Sequence, residues 1–146
     1  MGPFRFKLEQ VRLYRKQLEE QAMQALAVAI MERDATLERI AGIERELEEV
    51  RTALCRADSL DSAERWLASQ YETALKLDRE KAEKLLSQQE NHVDARRIAL
   101  IKAAKERELL DKLKEKQAER HRVQERQQEQ HTNDETATLR YTPTTI

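Results

Sequence analysis

Residues 40–54 read IAGIERELEEVRTAL, with Ile40, Ile43, Leu47, Val50 and Leu54 separated alternately by three and four positions. That alternation holds one apolar stripe of a helix against a partner helix. Working outward, Gly42 is the only glycine between Phe4 and Thr142, and that stretch contains no proline. Proline removes a backbone donor and glycine is the usual helix stop, so the backbone has few places to end a helix. The sequence therefore predicts very long helices.

Composition agrees. Of the 146 residues 39% are hydrophobic and 4% aromatic, too little apolar mass for a thick globular core, while 38% are charged. The excess of Glu, Lys, Arg, Gln, Ala and Leu is that of a coiled coil. Disorder is the competing reading, but it favours strong net charge without apolar periodicity, and here 27 basic and 28 acidic residues nearly cancel. The same balance argues against nucleic acid as a partner, which needs basic residues concentrated on one face. No apolar run approaches the roughly 20 residues that span a bilayer, and the opening residues lack the apolar core of a signal peptide. A cytosolic chain is expected, and the lone Cys55 has no internal disulfide partner.

Upstream, Leu8, Val11, Leu18, Ala22, Leu26, Ile30 and Leu37 continue the stripe. Downstream, the small polar cluster Arg56–Asp61 is the one plausible break. Asp61 followed by Glu64 has the spacing of a capping box that starts a second helix. The stripe resumes through Trp66, Leu67, Tyr71, Ala74 and Leu75. It continues through Ala82, Leu85, Leu86, Val93, Leu100, Ala103, Leu110 and Leu113, and fades after about residue 114. Folding back at the break pairs Leu47 with the neighbourhood of Tyr71, Leu18 with Leu100, and Phe4 with about residue 114. The first arm then runs out where the second loses its stripe, which favours an antiparallel hairpin over a parallel dimer. The expectation is an all-α, single-domain, two-helix antiparallel coiled-coil hairpin with an overhanging C-terminal helix. Its first helix covers about 4–56, the turn 57–61, the second helix about 62–138, and a disordered tail 142–146.

Chemistry is sparse in this pattern. A two-helix arrangement offers no deep pocket, the two glycines cannot form a phosphate-cradling loop, and no cofactor is expected. His92, His121 and His131 lack an i,i+4 histidine or cysteine for a zinc site. His121 and His131 are expected on solvated faces, and Cys55 as a semi-buried residue near the turn. Trp66 and Tyr71 fit a thin helix–helix seam poorly and are candidates for partner contact.

Both ends carry a further signal. Phe4-Arg5-Phe6-Lys7-Leu8-Glu9-Gln10-Val11, with Tyr14-Arg15 and Glu19-Glu20, resembles the opening of the flagellar export protein FliJ family. Residues 106–116 (ERELLDKLKEK), Arg126 to Gln130, Asp134-Glu135 and Arg140-Tyr141 resemble its charged close. The resemblance implies a non-enzymatic stalk similar to the gamma subunit of rotary ATP synthases. It implies a place in the flagellar type III export apparatus, peripheral at the cytoplasmic face of the inner membrane. The implied partners are the export ATPase FliI as a hexameric ring, its regulator FliH, the cytoplasmic domain of the gate protein FlhA, and export chaperones. By the same resemblance, Phe4, Phe6, Leu8, Val11, Arg126, Glu129, Gln130, Asp134, Glu135, Arg140 and Tyr141 are candidates for the ATPase contact. Trp66, Tyr71 and Leu75 are candidates for the gate contact. A virulence secretion stalk and a structural coiled-coil dimeriser are the alternatives, and a monomer is expected for the isolated hairpin.

Overall fold

A computed structural model describes residues 2–56 and 60–141. Two α-helices, α1 (Glu9–Cys55) and α2 (Ser62–Arg140), account for all its regular structure among the described residues, and they pack against one another antiparallel. The fold is an all-α hairpin, as the apolar periodicity requires. The described residues divide into two compact units, one within 20–101 and one of 2–19 with 102–141.

In the 20–101 unit the core is the stripe read from the sequence. Ile40, Ile43 and Leu47 of α1 cluster with Leu75 and Ala82 of α2, and Val50 and Leu86 pack against them. Leu47 is 1% exposed, the signature of a knob filling its hole. Val93 and Ala29 are also buried. The expected register near the break is observed, since the Tyr71 hydroxyl donates to Glu46 Oε2 at 2.9 Å and Arg51 faces Glu72. Not every expected stripe position faces inward: Trp66, Leu67, Tyr71, Ala74 and Leu85 of α2 are exposed, because only the positions in phase with Leu75 and Ala82 meet α1. Leu37 is exposed, and Thr36 is buried instead, where its hydroxyl donates to the Glu32 carbonyl at 3.2 Å and so takes no unpaired donor into the seam.

The start of α2 follows the capping-box spacing. The Glu64 amide donates to Asp61 Oδ1 at 2.7 Å, the Asp61 amide donates back to Glu64 Oε2 at 3.4 Å, and the Arg65 amide closes the first helical turn on the Asp61 carbonyl. Of the expected turn, residues 57–59 lie outside the described residues, as do all of the expected tail residues 142–146. Cys55 is exposed rather than semi-buried, because it is the last residue of α1 and lies beyond the stripe that ends at the half-buried Leu54.

The other unit departs most from expectation. Helix α1 begins at Glu9, not Phe4, and residues 2–6 are not helical. In a helix, positions 4 and 6 point about 200° apart, whereas in an extended chain alternate side chains share a side. Here Phe6 is buried and the Phe4 ring lies 5.7 Å from the His121 ring. Phe4 reaches residue 121 rather than 114, and most of that shift is one of register between the helices, because Glu9 already meets Lys114, at 3.0 Å, about five residues beyond the position that the expected pairing puts opposite it. The covered part of α2 accordingly continues past 114, with Gln117, Ala118, His121 and Glu125 half-buried. His121 is thus not a solvated-face residue. From Arg126 to Arg140 every residue of α2 is exposed.

Candidate interaction surfaces

In the unit of residues 2–19 and 102–141, charged residues enter the helix–helix seam. Arg107, Asp111 and Lys114 of α2 lie seven, eleven and fourteen residues beyond Leu100, so ions share its stripe with the half-buried Leu110 and Leu113. Arg12 bridges Glu9 at 2.8 Å and Asp111 at 3.1 Å. Arg107 joins Asp111 at 2.6 Å and Glu19 across the seam, and Arg15 meets Glu106 at 2.7 Å. Hydrogen bonds from Arg12 and Lys114 hold the Glu9 carboxyl down to about 2. Burial pushes Asp111 up, but hydrogen bonds from Arg107 and Arg12 outweigh it and leave the carboxyl lowered. Arg107 is correspondingly raised, by Glu19 first and then Asp111. None of these residues stands out as a site from composition. The legible signal was the in-phase placement of Arg107, Asp111 and Lys114.

The opening and closing family residues lie in this same unit but in different states. Phe6 is buried and Phe4 half-buried, while Leu8 and Val11 are more than one-third exposed. Arg126, Glu129, Gln130, Asp134, Glu135, Arg140 and Tyr141 are all exposed. Local pairs hold parts of this segment, Arg126 with Glu119 at 3.5 Å and His131 with Glu135 at 3.3 Å. The two aromatics are anchors within the chain, and the polar helix beyond residue 125 is the surface open to a partner.

In the 20–101 unit, Trp66, Tyr71 and Leu75 do not form one patch. Trp66 and Leu75 are nine positions apart, about 2.5 turns, and so lie on opposite faces of α2. Trp66 is 62% exposed, whereas Leu75 is 4% exposed and belongs to the core. Leu75 is therefore not a surface contact; the heptad phase with Ala82 carries it inward. Tyr71 is half-exposed and tied to Glu46, whose hydrogen bond and charge raise the phenol.

The surface supplies little for catalysis. Depressions lined by Glu125, Gln128, Glu129, Thr132 and Asn133, or by Arg45, Glu48, Glu49, Thr52, Ala53 and Arg56, each run along a single helix with no opposing wall. Among the described residues no three His, Cys, Asp or Glu side chains are grouped to hold a metal ion. Among the described residues no helix is long and apolar enough to cross a membrane.

Compared with known protein families, residues 4–143 match the profile described as flagellar FliJ protein. Neither curated protein sequences nor solved structures gave a match.

Proposed function

The chain belongs to the FliJ family, and on that premise we propose that it is a non-enzymatic stalk component of the bacterial flagellar type III protein export apparatus. In this reading it promotes assembly of the export ATPase ring and couples the ring to the export gate and to chaperones. It works at the cytoplasmic face of the inner membrane without inserting into it. The observation that carries the proposal is the exposed helix beyond residue 125. A helix polar on all faces gains nothing by burial within its own chain, so its persistence to Arg140 suits a segment that is completed by a partner. Glu129, Gln130, Asp134, Glu135, Arg140 and Tyr141 are the residues assigned to the ATPase contact there. Phe4, against His121 of α2, supports it by anchoring the opening segment, in which Phe6 is buried.

The test is pull-down and stimulation of the export ATPase ring by the intact protein, by a truncation before Gln117, and by a Glu129→Ala/Asp134→Ala/Glu135→Ala/Arg140→Ala variant. The exposed alanine variant leaves the packed seam untouched, so it separates contact loss from unfolding. Both changes are expected to abolish stimulation, and undiminished binding by either refutes the placement. Gate binding is assigned to Trp66 and Tyr71, with Leu75 acting only through packing. The family description favours the flagellar reading over a virulence stalk. Light scattering addresses the dimeriser alternative: a mass of 17.2 kDa supports the hairpin acting as a monomer.

A further inference from the structure

Besides its seam, α1 carries a second row at coiled-coil spacing. Glu20, Met23, Ala27, Met31, Asp34 and Glu38 follow one another by three, four, four, three and four residues, and all six are exposed. The row lies on the face opposite the seam residues Leu26, Ala29, Arg33, Thr36 and Ile40, as the half-turn offset of the two sets requires. Met23 is 54% and Met31 70% exposed, with the small Ala27 between them. Two flexible thioethers around an alanine form a hole that accepts a side chain from another helix and adapts to its shape.

The charge around this row is one-sided. Residues 17–32 contain three glutamates and no lysine or arginine. Glu20 and Glu38, which bracket the apolar centre, make no ion pair among the described residues, and Asp34 pairs only with its neighbour Arg33. An anionic lipid surface is repelled by such a face. An apolar row between unpaired carboxylates about 27 Å apart matches a helix whose own apolar row is bracketed by Lys or Arg, because unlike charges at the rim fix register and suppress wrong partners.

We propose that the outer face of α1 over residues 20–38 docks an amphipathic helix of a partner protein, with an apolar stripe bracketed by basic residues. This surface is separate from the residues assigned to the ATPase and to the gate. The test uses the intact isotope-labelled protein and a designed monomeric helical peptide of about 20 residues, with a leucine row bracketed by lysines, alongside an isomer bracketed by glutamates. The lysine peptide is expected to shift the amide resonances of residues 20–38 and to bind about tenfold tighter than the isomer. Met23→Gln/Met31→Gln should weaken it about tenfold or more, and Glu20→Lys/Glu38→Lys should reverse the preference between the peptides. Helical circular dichroism of both variants keeps loss of fold distinguishable. Equal binding of the two peptides, shifts confined to other residues, or a concentration-dependent dimer abolished by Met31→Gln would each overturn the proposal, the last by making a second copy the occupant.

Discussion

Leu47→Ala isolates the contribution of the apolar seam. Leu47 is 1% exposed and sits among Ile40, Ile43, Leu75 and Ala82. The change deletes three carbon groups, worth about 0.8 kcal/mol each when fully buried, or roughly 2.4 kcal/mol for the transfer alone. A cavity adds to this, but two helices with no third layer can close in on it, so the total should stay near the low end of the 2–5 kcal/mol range, about 3 kcal/mol. Leu77→Ala is the matched control: it is the same deletion in α2 at a side chain half exposed to water, and it should cost about 0.5 kcal/mol or less. Urea titration followed by circular dichroism, with amide exchange at residues 40–50 and 75–86, reads both. Equal losses in the two variants would refute a seam centred on Leu47.

Four further outcomes follow from the geometry. Asp61→Ala should remove about 1 kcal/mol of capping and speed exchange of the Glu64 amide, while Asp61→Ser should largely preserve both. Gly42→Ala should stabilise α1 by about 0.5–1 kcal/mol, because a Cβ there meets only Arg45 Nη2, at 3.7 Å; a loss of stability would mean the glycine serves a packing need. The Glu9 carboxyl, lowered from 4.5 to about 2, is a depressed acid, so its contribution is complete above the ordinary value and is lost as pH falls through the 4.5 to 2 window. Carbon NMR titration should place its midpoint near 2, and Arg12→Ala should return it toward the ordinary value; a wild-type midpoint near 4.5 would remove Glu9 from the network. Amides of residues 126–140 should exchange faster than those of 75–93, and equal protection would show that the polar helix is held by something other than packing.

Much of the hairpin was legible because it depends on short-range arithmetic. The three-and-four spacing of residues 40–54 and the Asp61–Glu64 pair each specify their own local geometry, and both are present as read. What escaped reading depends on the far side of a contact. Phe4 and Phe6 have no local signal that forbids a helix, and the ring of His121 against which Phe4 lies is more than a hundred residues away in sequence. Thr36 replaces Leu37 in the seam because helical phase, not hydrophobicity, decides which residue turns inward. The resemblance offers Leu75 as a gate contact, but its seven-residue spacing to Ala82 already places it in the core. The Glu9–Arg12–Asp111–Arg107–Glu19 network looked like scattered charge until the two helices were laid side by side.

The same helix pair is thus joined by two different kinds of seam, one of hydrocarbon and one of ions, and dissolved salt tells them apart. Raising ionic strength from 0.15 M to 1 M shortens the Debye length from about 8 to about 3 Å and weakens the partly exposed ionic pairs. A sulfate salt at the same time strengthens hydrocarbon contacts by exclusion from the protein surface. Ammonium sulfate should therefore tighten residues 40–54 on α2 while loosening residues 9–19. The choice of buffer becomes a means of unfastening one seam while the other is tightened.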